Sequence, residues 1–200
     1  MKTVIKLSVL SIVVSLGLVA CDNRDIPEEE PRLTSPPQLE DKEDYASPTI
    51  IKQAQAVLSP TQGNNASGSV TFTQMDNGVQ VVADIMNLTP GEHGFHIHEN
   101  GDCSSPDASS GGEHFNPTDM PHGGPESPRH HIGDLGNIVA DASGRARMNK
   151  VFLFLSLNGD NSIVGKSIIV HSDRDDLVSQ PSGDSGTRLA CGVIRAEEQR

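Results

Sequence analysis

SVTFTQMDNGVQVVADI, residues 69–85, decides the fold. Val70 and Phe72 alternate with Ser69, Thr71 and Thr73. That is the period of two at which successive strand side chains point to opposite faces. Asp76-Asn77-Gly78 follows, residue types suited to a hairpin turn. Val79, Val81, Ala83 and Ile85 then resume the alternation. The stretch predicts two antiparallel strands with one apolar face.

Working outward, Phe95-His96-Ile97-His98 is another extended run. Further strands are expected at 137–140, 146–155, 166–171 and 189–195, with a turn at Asp141-Ala142-Ser143-Gly144. No long segment has helical periodicity. Seven or eight short strands punctuated by turns predict an all-β antiparallel sandwich or barrel. The composition agrees: 34% hydrophobic residues, with 19 Gly and 13 Pro among 200. The net charge of −12, without any basic run, excludes nucleic acid as a partner.

The first twenty residues are expected to be a targeting segment. Lys2 and Lys6 precede an apolar stretch, Leu7 to Ala20. Leu18-Val19-Ala20-Cys21 resembles a bacterial lipoprotein cleavage box, which makes Cys21 the expected lipidated N-terminus. Asp22 after it resembles an inner-membrane retention signal. A lipid anchor in a bacterial envelope is therefore expected, on the periplasmic face of the inner membrane, with the outer membrane or cell surface as other destinations. Residues 21–48 are acidic and Pro-rich without apolar periodicity and are expected to form a disordered tether; the domain takes 49–200. With Cys21 lipidated, Cys103 and Cys191 remain, and a leftover pair in an exported protein predicts one disulfide. Closing that loop would stabilise the chain by roughly 4–5 kcal/mol.

Two stretches break the strand rhythm: Asn100 to Gly133, rich in Gly, Pro and Ser, and the polar Ser172 to Arg188. Structureless loops of such length in a compact domain usually carry function. They hold or flank most of a chemically telling set: His96, His98, His114, His122, His131, Asp134 and His171. His96 and His98, two apart on a strand, point to one face and can converge on one ion. Imidazoles gathered with one carboxylate suit copper and zinc.

The motifs containing these residues make the reading specific. His93-Gly94-Phe95-His96-Ile97-His98-Glu99, Gly101-Asp102-Cys103, His114-Phe115-Asn116-Pro117 and His122-Gly123-Gly124-Pro125 resemble the copper/zinc superoxide dismutase family. So do Gly133-Asp134-Leu135-Gly136-Asn137, Val170-His171 and the run from Arg188 to Ile194. The likeness extends from about Ile50 to the C-terminus.

It implies an eight-stranded antiparallel Greek-key barrel with two long functional loops. It implies one copper on His96, His98, His114 and His171, and one zinc on His114, His122, His131 and Asp134. His114 would bridge them, since two nearby cations can displace both ring protons. Asp175 would bond the free ring nitrogens of His96 and His122 and fix their orientation. Arg188 would attract the anionic substrate, and Cys103–Cys191 would tie the long loop to the last strand. His93 would be structural, and His130, beside the zinc ligand His131, would be solvated.

The implied activity is disproportionation of superoxide to dioxygen and hydrogen peroxide by Cu(II)/Cu(I) cycling, with His114 and Arg188 as catalytic residues, protecting the envelope. The family contains monomers and dimers, so a homodimer is among the expected assemblies. The segment Ser172 to Arg188 is shorter than in animal cytosolic members and lacks Lys, which weakens any argument from loop lysines. The alternative is a periplasmic copper-binding or delivery protein without turnover. The complete zinc set and Arg188 speak against it, because storage needs neither.

Overall fold

The computed structural model describes residues 50–197. The targeting segment, Cys21 and the tether lie outside these residues. Eight strands form the barrel: β1 Gln53–Pro60, β2 Ser67–Met75, β3 Gly78–Met86, β4 Gly91–His98, β5 Asp134–Ala140, β6 Ala146–Phe152, β7 Ser167–His171 and β8 Arg188–Val193. A two-residue β9, Arg195–Ala196, pairs with β1, and a single 3₁₀ turn spans Ser109–Gly111.

The predicted hairpin is present, with Met75 opposite Gly78 and Val70 opposite Ala83. Gly78 has φ +145°, and a Cβ there would run into the backbone of Phe152 and Leu153. Turn chemistry and close packing thus require the same glycine. The strand β1 carried no motif of its own. It alternates buried Ala54, Ala56 and Leu58 with outward Gln53, Gln55 and Val57.

All pairings are antiparallel, in the order β2-β3-β6-β5-β4-β7-β8-β1, and β1 pairs back to β2. The sheet therefore closes and leaves no long edge exposed. Two seams are thin: Ala140 opposite Ala146 joins β5 to β6, and Ser59–Cys191 with Pro60–Ala190 join β1 to β8. They separate two four-stranded halves whose inner faces share one core, including Phe72, Phe95, Phe152, Ile97 and Ile168.

Most strands bury one face only. From His93 to His98 in β4, and throughout β7, every residue is buried. Phe95 and Ile97 lie opposite Val170 and Ile168, and these four point into the core. The alternation then turns His96, His98 and His171 to the outside of the barrel. Loops 99–133 and 172–187 cover that outer face. Bulges interrupt the pairing between Gly94 and His96 and between Val170 and His171, next to the side chains the loops must meet.

Candidate metal centre

Backbone bonds carry the loop histidines to β4. Phe115 N–H donates to Ile97 O at 2.8 Å, Ile97 N–H to Gly133 O at 2.9 Å, and Gly133 N–H to Phe115 O at 2.8 Å. His114 sits beside His98 in an isolated bridge. This ring of bonds fixes the residue after His114 and the residue before Asp134 against the strand that bears His96 and His98.

The seven predicted ligands converge and all are buried. Two groups form, His96/His98/His114/His171 and His114/His122/His131/Asp134, each offering donor atoms within 4.8 Å of one another. His114 belongs to both. Its ring centroid lies 4.2 Å from His96 and 4.9 Å from His98 on one side, and 5.4 Å from His122 and 5.6 Å from His131 on the other.

Several ring nitrogens facing inward make no hydrogen bond to protein. His96 Nδ1, His114 Nε2, His122 Nδ1 and His131 Nδ1 are buried without a hydrogen bond. Buried polar atoms are rarely left so. His98 Nδ1 donates to Gly112 O at 2.9 Å, which leaves Nε2 as a bare acceptor. That atom faces His171 Nε2 at 3.3 Å, and His171 Nδ1 approaches Gly186 O at 3.4 Å. Two imidazole nitrogens this close and this buried are placed to share one cation. At the other group, Asp134 Oδ1 lies 2.7 Å from His114 Nδ1, 3.1 Å from His122 Nδ1 and 3.2 Å from His131 Nδ1. A tetrahedral ion with ligands at about 2.0–2.2 Å separates its donors by about 3.3–3.6 Å, so a small outward shift of these atoms would admit one. The residues fit copper and zinc.

Outside the ligand sets, Asp175 is fully buried and joins them. It accepts from His96 Nε2 at 2.8 Å and from His122 Nε2 at 3.0 Å, and Leu177 N–H donates to it at 2.7 Å. Such partners dictate which ring nitrogen remains free for a metal. Here they free Nδ1 of both histidines.

Electrostatics in the metal-free protein divide the two groups. Burial pulls His96 down to about 4 against the opposing pull of Asp175. Burial also holds His98 and His171 well below the ordinary imidazole value, and the neighbouring His114 adds to the effect. These three rings are neutral at pH 7, as metal ligation requires. Burial works against charge on His122 too, but the carboxylates of Asp134 and Asp175 outweigh it and raise its pKa to about 9. Burial alone would raise both carboxyls; the imidazoles around them hold both well below the usual carboxylate range.

Arg188 is half-buried at the start of β8. Its Nη1 donates to Ala108 O at 2.6 Å and its Nη2 to Gly112 O at 2.7 Å. Gly112 O therefore receives both the arginine and the copper-side His98. Burial lowers the guanidinium's pKa, while Glu113 and Asp107 partly offset this. The disulfide joins Cys103 to Cys191, tying loop 99–133 to β8 beside that arginine.

The other two histidines stay outside the clusters. His93 lies between the carbonyls of His171 and Thr89, each 2.8 Å from a ring nitrogen. His130 contacts His131 O at 2.6 Å and packs on Phe154, so it is structurally engaged as well as partly exposed. Two residues near the site escaped the sequence reading, Asn137 and Gln180. Their amides bond the backbone of Asp175 and of His122. Asn137 closes a quoted motif, but nothing in the sequence pairs it with Asp175. Gln180 carried no signal.

Residues 66–194 match the family described as Copper/zinc superoxide dismutase (SODC). The chain is 40% identical over 156 residues to a protein of Brugia pahangi named extracellular superoxide dismutase [Cu-Zn], covering 73% of this chain and 78% of that one. It also resembles a solved structure described as that of the clock protein EA4, at a TM-score of 0.69 and 40% identity, over 74% of this chain and 97% of the other.

Proposed function

Because the chain belongs to the copper/zinc superoxide dismutase family, an enzyme family that uses both metals, we propose a residue-by-residue account of how it disproportionates superoxide. His96, His98, His114 and His171 hold copper; His114, His122, His131 and Asp134 hold zinc; His114 is shared. The observation that supports this most directly is the set of buried ring nitrogens without hydrogen bonds that converge in the two clusters. Copper supplies one-electron chemistry between Cu(II) and Cu(I), and zinc supplies charge without redox.

Arg188 binds the anion. Two of its N–H groups are fixed on the carbonyls of Ala108 and Gly112, so the remaining N–H groups are presented in a set direction. His114 moves the proton. Its Nε2 accepts one once the first superoxide has left as dioxygen, and gives it to the second as that becomes peroxide. Water provides the other proton, so two superoxides and two protons yield one dioxygen and one peroxide. Nδ1 of the same ring, 2.7 Å from Asp134 Oδ1, would be its donor to zinc, so zinc would hold the ring while Nε2 takes up and gives back the proton. Asp175 fixes His96 and His122 in the tautomers that present Nδ1.

The same reading places the domain, 49–200, on a tether, 21–48, anchored through acylated Cys21 after removal of residues 1–20. It protects the cell envelope from superoxide. The disulfide favours an oxidising compartment. The test is metal content and superoxide turnover of wild type beside His114→Ala. Loss of turnover with copper retained is expected, and equal turnover in both refutes the mechanism. Fatty-acid labelling of wild type against Cys21→Ser tests the anchor, and an unlabelled wild type removes it.

A further inference from the structure

Two side-chain amides grip the pair of residues that links the clusters. Asn137 on β5 donates from Nδ2 to Asp175 O at 2.9 Å and accepts from Asp175 N–H at 2.8 Å. Gln180, in loop 172–187, accepts from His122 N–H at 2.8 Å and donates from Nε2 to His122 O at 2.9 Å. Each amide meets both polar backbone groups of one residue, as a peptide unit does in a strand pair. Asp175 and His122 then meet each other at 3.0 Å. His122 is thereby held at its ring and at both ends of its backbone by one loop.

That loop lies flat on the pair. Gly183 has φ +67°, and a Cβ there would collide with the Asp175 carboxylate and lie 2.7 Å from His122 Nε2. The turn bearing Gln180 is braced by Ser179 N–H to Asp176 Oδ1 at 2.8 Å and Gly183 N–H to Ser179 O at 2.7 Å. Gln180 is far from the barrel core, and its partners are the zinc-side backbone and its own turn.

We propose that Gln180 is a positioning residue for zinc: it fixes the backbone of His122 so that Nδ1 faces Asp134 while Nε2 stays on Asp175. The inference rests on the assignment of zinc to His122. With the clamp gone, the Asp175 bond alone holds the ring, and the main chain of the loop is free to drift.

The experiment uses the full chain loaded with copper and zinc, as wild type, Gln180→Met and His122→Ala. Zinc release to a chromogenic chelator is followed beside copper content, with the visible spectrum of Co(II) placed in the zinc position. In Gln180→Met, zinc release is expected about tenfold faster, the scale for losing an outer partner of a ligand. Copper content and the melting temperature of the metal-free form stay at wild-type values, and the cobalt bands shift. Wild-type release and spectrum in Gln180→Met overturn the proposal. So does a joint loss of both metals and metal-free stability, which indicates a general structural role. Where Gln180→Met fails to load, Gln180→Glu, which keeps the acceptor for His122 N–H, is expected to release zinc at an intermediate rate; a wild-type rate overturns the proposal. Zinc retention unaffected by His122→Ala instead refutes the ligand assignment, and the clamp with it.

Discussion

His114 shows how much chemistry one residue's surroundings can assign. An imidazole has two nitrogens, and a protein normally satisfies both when the ring is buried. Here Nδ1 is held by Asp134 and Nε2 faces a set of other bare nitrogens. Removing metals from such a cluster leaves titrations of opposite sign. His96, pulled down to about 4, binds fewer protons folded than unfolded between about pH 4 and 6.5, and the lowered His98, His114 and His171 act in the same direction. Stability of the metal-free protein therefore rises with pH across that window. His122, raised to about 9, works the other way: its contribution is complete below about 6.5 and is lost as pH climbs through about 9. The metal-free protein is expected to melt highest near pH 6.5 and lower on both sides. Thermal melts from pH 4 to 9.5 check this, and a monotonic profile contradicts it.

At the element scale, β4 and β7 differ from their neighbours in being buried on both faces. Their inner residues pack into the core, and their outer residues include His96, His98 and His171, which only a covering loop can bury. The disulfide secures one such cover, fixing Cys103 near the start of loop 99–133 to Cys191 on β8. Ala108 and Gly112, whose carbonyls hold Arg188, lie on that same loop. Cys103→Ser/Cys191→Ser is expected to lose about 2–5 kcal/mol in urea unfolding. It should also raise KM for superoxide more than it lowers kcat, because the arginine's carbonyl anchors loosen while Phe115 and Gly133 stay bonded to Ile97 of β4. An unchanged KM would separate the disulfide from Arg188.

At the scale of the whole molecule, an acidic protein must admit an anion. The chain carries −12, and loop 172–187 contributes Arg174, which is paired with Glu92 at 2.8 Å. Arg188 is flanked by Glu113 and Asp107, both exposed and both felt at its guanidinium. These carboxylates repel the substrate that the arginine attracts. Glu113→Gln is expected to raise kcat/KM about twofold at low salt. The gain should shrink towards none at 0.15 M, where screening reaches about 8 Å. Pulse-radiolytic rates at both ionic strengths test it; a gain that salt leaves untouched would point to a steric effect.

Local pattern made the barrel legible. Alternation around Asp76-Asn77-Gly78 identified a hairpin, because one-sided burial has a period that a sequence can display. It did not locate β1, since Gln53 to Pro60 offers small residues and no turn signal. The ligands were legible for a related reason: a metal demands particular side chains, and His and Asp in spaced motifs are conspicuous. The family resemblance implied zinc on His131 and not on His130, and the fold brings only His131 to Asp134. The amide clamps on Asp175 and His122 were not legible. Asn137 and Gln180 bond to backbone atoms, which every residue possesses, so no pairing of letters announces them. Sequence by itself determined which residues could bind metal and which strands could bury a face. Only the tertiary structure decided which ring nitrogen faces inward, because that depends on where Asp175, Gly112 and the loops come to rest.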